Sequence, residues 1–353
     1  MARVGIIGCG DISRFHQEGY RRAGAQVVHV CDINRETATS IAAKFDARAS
    51  TDYRALLDDP EVELVSITTM TAYHKALCLD AIAAGKGVIC EKTLTGNAND
   101  SYEVANAAEQ AGVFFTTAYM KRFFPAVQKA KTLLSTMGDI ISVYARSWQP
   151  WDLWNTPLTD DLFAHPSSVY RKSAGGVLAC GGSHILDLLH WLVGRPKQVC
   201  GQLHYRDNAD FDIQANAMLW FEQGGLAHFE ACWHPLRFAG YEKNGWDERI
   251  EINTTHGRLD LYIVLWNQPE KNGAMLVHQD AVTGQTTEYR YHALNPFYEE
   301  IAEAVRRFDA GEPGSPSVWD GYVVDEMIEH ITSSASKNTI LPVVWKDRVA
   351  HSF

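Results

Sequence analysis

The segment from Arg3 to Asp32 constrains this chain more than any other. An apolar run, Val4–Ile7, leads into Gly8, Cys9 and Gly10; a helix-like stretch starts near Ile12; a second apolar run, Val27–Cys31, ends on Asp32. Strand, glycine turn, helix, strand and terminal acid is the order a bound dinucleotide requires. Gly8 permits the tight turn. Gly10 lets the backbone approach a pyrophosphate, and Asp11 and Ile12 open a helix whose N–H groups point at that charge. Ser13 stands where a third glycine is usual and is small enough for helix and strand to pack closely. Asp32 can accept hydrogen bonds from a ribose 2′-hydroxyl and repels a 2′-phosphate, so the expected cofactor is NAD. Arg35, three residues on, can meet a 2′-phosphate, which leaves NADP open.

This alternation continues to about residue 120. Strand-like runs Leu64–Ile67, Gly87–Cys90 and Val113–Thr117 alternate with helix-like runs Arg35–Phe45, His74–Ala84 and Asp100–Ala111. Such a pattern predicts a Rossmann-type, doubly wound parallel sheet, with ligands at the carboxyl ends of its strands. Beyond residue 120 the pattern changes. Helices are expected over Pro125–Ser135 and Ser183–Val193. Strands are expected over Ile140–Arg146, Val199–His204, Ala215–Phe221, Leu226–Trp233, Arg249–Asn253, Gly257–Tyr262 and Met275–Gln279, and helices return at Pro296–Ala310 and Trp319–Ser336. Consecutive strands with short turns predict an α+β domain with a large open, mostly antiparallel sheet. The chain of 353 residues is long enough for both, with domains expected at 1–120 and 121–353.

The net charge of −11 argues against nucleic acid and anionic membranes, which attract basic surface. The seven cysteines are scattered without CxxC spacing, so neither a disulfide framework nor a zinc ribbon is expected, and no metal site. No apolar run reaches membrane-spanning length, and no signal peptide precedes the first strand. The expectation is a cytoplasmic protein.

Two constellations can carry chemistry. Glu91 and Lys92 stand at the end of the fourth strand-like run, beside an expected cofactor. An ammonium there can hydrogen-bond a substrate hydroxyl and stabilise a developing alkoxide, and Glu91 can hold the lysine or the cofactor. The plain alternative is a solvated pair at a loop start. The second constellation runs from Gly175 to Asp187, with Gly175, Gly176, Gly181 and Gly182 allowing close backbone approach to a ligand. Cys180, His184 and Asp187 share a face if that run is helical, and His184 is the natural proton acceptor. Candidate substrate contacts are Tyr119 and Arg122 after the fifth strand, the aromatic loop with Trp148, Trp151 and Trp154, Asp152 within it, Lys172, and His234, Arg237, Asn244 and Trp246 in a later loop.

With these pieces in place, the chain resembles the glucose–fructose oxidoreductase, inositol dehydrogenase and MocA-like (Gfo/Idh/MocA) oxidoreductases. The resemblance rests on Gly8 and Gly10, Thr69 and His74, Glu91 and Lys92, Arg122, Phe123 and Pro125, the Gly175–Asp187 segment, and Leu341, Pro342 and Val343. It implies that Thr68, Thr69, Met70, His74, Glu91 and Lys92 line the cofactor. It also implies that Lys92 assists catalysis, that His184 takes the proton, and that position 180 binds or orients substrate. The implied substrate is a sugar, glycoside, cyclitol or other polyol, and the implied assembly is a homodimer or homotetramer. Three positions depart from the family pattern: Thr93 and Met70 replace prolines, and Cys180 replaces an aspartate. A thiol is a poor acceptor in place of a carboxylate. Cys180 is read here as a small buried residue; a thiolate acting on substrate and a Cys180–His184 metal site are the alternatives. Two other functions stay open: cofactor-assisted glycoside cleavage or epimerisation without net redox, and a non-catalytic dinucleotide sensor.

Overall fold

A computed structural model describes residues 1–155, 175–206, 210–265 and 273–346. The parallel half comes first. Its strands are β1 (Arg3–Ile7), β2 (Gln26–Cys31), β3 (Arg48–Ser50), β4 (Leu64–Ile67), β5 (Gly87–Glu91) and β6 (Phe115–Ala118). The helices between them are α1 (Ser13–Ala23), α2 (Arg35–Ala42), α3 (Tyr53–Leu57), α4 (His74–Ala83) and α5 (Ala98–Ala111). The strands pair in the order β3-β2-β1-β4-β5-β6, all in parallel. Every residue of β4 and β5 is buried. That is why these strands read as unbroken apolar runs, since helices cover both faces. Strand order reverses between β1 and β4, so the crevice for a ligand opens after Ile7 and Ile67.

The second half comprises α6 (Pro125–Leu134), β7 (Ile140–Gln149), α7 (Ser183–Val193), β8 (Pro196–Tyr205), β9 (Asp212–Phe221), β10 (Leu226–Trp233), β11 (Asp247–Thr254), β12 (Gly257–Ile263), β13 (Met275–Asp280) and β14 (Thr286–Arg290). Helices α8 (Pro296–Ala310) and α9 (Val318–Lys337) and the short β15 (Leu341–Pro342) complete the chain. Nine strands form one sheet in the order β14-β13-β12-β11-β7-β10-β9-β8-β15. It is antiparallel except where β10 runs parallel to β7. Here burial alternates along the strands, as in β11, because opposite faces meet different surroundings.

The residues divide into two compact units, Met1–Met120 with Pro296–Asp325, and Lys121–Asn295 with Glu326–Phe353. A single boundary near 120 would assign α8 and the start of α9 to the second unit; they belong to the first. Phe297 of α8 stacks on Phe15 of α1 at 4.3 Å, and Ile301 joins the buried cluster of Val4, Ile6, Tyr20 and Leu64. A Cβ on Gly19 would lie 2.6 Å from Ile301 Cβ, so the glycine is what lets α8 settle on α1.

Candidate active site

The first unit builds the dinucleotide turn. Gly8 has φ +91, and a Cβ there would lie 2.8 Å from Thr69 Cγ2 and 3.0 Å from the Thr68 carbonyl. Thr68 is buried and donates through Oγ1 to the Gly8 carbonyl at 2.6 Å, fastening the turn to β4. Gly10 is exposed, and a Cβ on it would meet nothing within 4 Å, so the space above it is open to a ligand. The Gly10 carbonyl accepts from Ser13 Oγ at 2.8 Å and from Ser13 N at 3.0 Å, which sets the first turn of α1. Asp11 and Ile12 lie open at that helix start.

Asp32 sits at the end of β2. Its Oδ2 accepts from Cys9 N at 2.8 Å and its Oδ1 from Asn34 N at 2.8 Å. Each oxygen keeps a further lone pair for ribose hydroxyls. Ile33 is 95% exposed beside it and offers an apolar surface that composition and motif spacing did not single out. Arg35 is exposed at the start of α2. These residues fit NAD: an open cradle over Gly10, a helix N-terminus, and a carboxylate placed for a diol.

Thr69 and Met70 are accessible, whereas His74 is fully buried. Its Nδ1 faces the Thr93 and Leu94 carbonyls at 3.0 and 3.2 Å, and its Nε2 faces the Thr69 carbonyl at 3.1 Å. Burial holds the imidazole below its ordinary pKa. His74 therefore ties the loop after β4 to the loop after β5 rather than lining the cofactor itself. Glu91 is likewise buried, and Lys92 is half-buried. The Lys92–Thr93 peptide bond is cis. Tyr119, closing β6, is fully buried.

The second unit carries the other candidates. Leu178–Gly182 forms a π-helical turn that opens directly into α7, so Cys180 lies outside the regular helix that holds His184 and Asp187. Cys180 lies buried in the π turn, and His184 stands half-buried in the first turn of α7. Along α7 every side chain is buried except His184 and Trp191. The glycines serve packing at close range. A Cβ on Gly181 would lie 2.3 Å from Gln149 Nε2, and one on Gly176 2.0 Å from Asp212 Oδ1. Asp212 Oδ2 accepts from Leu178 N at 2.8 Å, and burial pushes this carboxyl up to about 6.

Arg122 is not open to a substrate in the way expected. Its guanidinium forks onto Asp187, with Nη2 2.6 Å from Oδ1 and Nε 2.9 Å from Oδ2, and both residues are buried. Burying either charge requires its partner, so Arg122 and Asp187 together anchor α7. Asp152 is spent on a local turn, accepting from Asn155 N at 3.1 Å. Strand alternation separates the tryptophans. Ser147 and Gln149 face Gly181, so Trp148 between them points to the opposite face, where it meets His234 at 5.2 Å and Arg146 at 5.1 Å. Trp151 stays on the Gly181 side, 5.5 Å from Trp233, whose Nε1 donates to Gln149 Oε1. Trp154 stacks on His204 at 5.0 Å. His234 is buried; its Nδ1 accepts from Leu236 N at 3.0 Å, and burial lowers its pKa. Trp246 is buried 5.9 Å from the Lys121 ammonium. Lys172 lies outside the described residues.

Sequence reasoning missed one buried pair on the Gly181 face. Lys121 Nζ donates to Glu248 Oε2, and Ser147 Oγ donates to Glu248 Oε1 at 2.9 Å. The signal was present: Glu248 shares strand parity with Ile250 and Ile252, both of which point inward. Among the described residues no group of three or more His, Cys, Asp or Glu is arranged to hold a metal. No described helix is long and apolar enough to cross a membrane.

The turn, the acid after β2 and the two sheets define an oxidoreductase built on a dinucleotide-binding domain. Residues 2–119 match the family model of oxidoreductases with an NAD-binding Rossmann fold, and residues 127–260 match the Gfo/Idh/MocA C-terminal domain. The chain belongs to the Gfo/Idh/MocA oxidoreductase family, and its first domain is the NAD-binding one. Relatives include levoglucosan dehydrogenase of Pseudarthrobacter phenanthrenivorans, 28% identical over 96% of this chain and 97% of that protein. Inositol 2-dehydrogenase of Acidothermus cellulolyticus is 26% identical over 96% of this chain and 93% of that protein. A solved levoglucosan dehydrogenase, in complex with NADH and levoglucosan, superimposes with TM-score 0.82 at 22% identity, covering 97% of this chain and 99% of that one, and shares its fold.

Proposed function

We propose that this protein transfers hydride between a secondary hydroxyl of a sugar, glycoside or cyclitol and the nicotinamide of NAD. The observation that carries the reading is the open Gly10 cradle with Asp32 beside it, in a chain that supplies Lys92 just after β5. Bound NAD would accept or return the hydride at its nicotinamide ring. Lys92 hydrogen-bonds the substrate hydroxyl and stabilises negative charge on its oxygen. His184, a half-buried imidazole in the first turn of α7, takes the hydroxyl proton on oxidation and returns it on reduction. The anchor between Arg122 and Asp187 holds α7, and with it His184, in place. Trp151 offers an aromatic surface for a ring's apolar face, and Trp246 belongs to the same binding unit. The relatives named for levoglucosan and inositol support the substrate class.

The reading also assigns substrate binding and self-association to the second unit. The outer face of its sheet presents Tyr144, half exposed and stacked on His228 at 4.9 Å, with Arg146, Glu230, Arg249 and Glu251 around it. Interspersed charges of both signs on one face suit pairing with a second copy in a homodimer or homotetramer. All seven cysteines are thiols, in keeping with a reducing cytoplasm.

The test is turnover with NAD on a panel that includes levoglucosan and inositol, read as NADH absorbance. Lys92→Ala is expected to bind NADH normally and lose nearly all turnover. Near-normal turnover in that variant would sink the assignment. His184→Ala is expected to depress activity with a changed pH profile; an unaltered profile would point to another base.

A further inference from the structure

Glu91 is 5% exposed, one residue before Lys92. A buried carboxylate needs donors on both oxygens. Lys92 N–H donates to Oε2 at 3.1 Å, and His16 Nε2 lies 3.0 Å from Oε1. His16 comes from the second turn of α1, three residues beyond Ser13, and is fully buried. Its Nδ1 lies 2.8 Å from Ser66 Oγ in β4, also fully buried. The Tyr20 phenol lies beside Ser66, its ring packs edge-on to His16 at 6.4 Å, and the buried Glu300 of α8 is its acidic neighbour. Burial pushes the Tyr20 phenol up, so it stays neutral.

With a neutral imidazole against a carboxylate, one pattern of protons satisfies these groups. A carboxylate only accepts, so His16 must donate from Nε2. Its Nδ1 is then the acceptor for the Ser66 hydroxyl. The other groups within reach of the Glu91 charge are Lys92, Cys90 and His74, and both His74 nitrogens already face backbone carbonyls. The row runs from inside the Rossmann core to the turn that carries Lys92, and it starts on the helix that forms the dinucleotide turn.

We infer that His16 is a positioning residue for Lys92: through its hydrogen bond to Glu91 it fixes the turn from which Lys92 projects, and Ser66 fixes its tautomer. This rests on the reading of Lys92 as the group that meets the substrate hydroxyl. It makes α1 serve two ends at once, the cofactor turn at its start and the lysine turn one helical turn further on.

The test compares wild type with His16→Phe, which keeps a ring but removes both nitrogens, and with His16→Gln, which restores one donor. NADH binding is read by fluorescence titration, and turnover by NADH production from inositol or levoglucosan. His16→Phe is expected to lower kcat by about 10- to 100-fold, the cost of a slightly misplaced group, while NADH affinity stays within about threefold. His16→Gln is expected to recover most of kcat. Unchanged kcat, a loss confined to NADH affinity, or a His16→Gln variant as slow as His16→Phe overturns the inference. Should His16→Phe not fold, Ser66→Ala removes a single hydroxyl and is expected to lower kcat by about three- to tenfold; full activity there overturns it. Nitrogen NMR of the wild-type protein with NADH decides the hydrogen-bond row without any substrate: a neutral Nε2–H ring is expected, and either the Nδ1–H tautomer or a doubly protonated ring refutes it. If no polyol is oxidised by wild type, the role of Lys92 fails and the positioning claim falls with it, while the tautomer result still stands or falls alone.

Discussion

Replacing Gly10 by alanine separates cofactor binding from folding. Gly10 does not need a positive φ, and a Cβ built on it meets nothing within 4 Å. The substitution should therefore change folding stability by about 0.5 kcal/mol or less. The same methyl stands where the backbone must approach a pyrophosphate. Losing two charge-assisted hydrogen bonds from the turn, at about 1.5 kcal/mol each, removes about 3 kcal/mol of binding. That is about two orders of magnitude in Kd for NADH. Gly8→Ala is the contrast. Its φ of +91 and the 2.8 Å approach to Thr69 Cγ2 mean that an alanine there strains the fold itself. A cost of about 1–2 kcal/mol or more should show as a lower Tm. Thermal melts and NADH fluorescence titrations on both variants decide the matter. Gly10→Ala binding NADH like wild type, or melting as early as Gly8→Ala, would refute the reasoning.

Asp212 sets a pH dependence of stability. Its folded pKa of about 6 lies above the ordinary value, so its protonated form favours folding. That contribution is fully present below about pH 4 and is lost as pH rises through about 6. Asp212→Asn keeps an acceptor for Leu178 N, so it should raise stability at about pH 8 by about 2–3 kcal/mol and leave it unchanged near pH 4. Equal effects at both pH values would contradict the assignment. Asp187→Leu should cost about 3–5 kcal/mol in urea unfolding, because it strands the buried Arg122 charge. Adding Arg122→Met should recover more than half; a double variant as weak as the single one would show that the pair is not the anchor.

Much of this architecture is legible in the sequence. The glycine turn, Asp32 and the apolar runs of β1, β2, β4, β5 and β6 could be read because burial on both faces leaves continuous runs. The alternation in β7 and β9–β12 could be read because their two faces differ. What escaped was short or exposed: β3 spans only Arg48–Ser50, and β14 has four of its five residues exposed. The site was legible in its residue types but not in its partners. Arg122 and Asp187 lie 65 positions apart, and Lys121 and Glu248 lie 127 apart. No local pattern announces that a cation is already paired. For the same reason His74 and Glu91 look like lining residues until their carbonyl and imidazole partners are seen. His16, inside a helix already explained by its glycine turn, gave no separate signal.

The central claim is hydride transfer from a carbinol carbon to NAD. The most direct measurement uses a polyol carrying deuterium at its carbinol carbons, oxidised with NAD, with the label followed by mass spectrometry and NMR. The account predicts deuterium at C4 of the nicotinamide in NADH, with no transfer by Lys92→Ala although that variant still binds NADH. Deuterium retained in or returned to the carbohydrate without NADH, or lost to solvent, would contradict it.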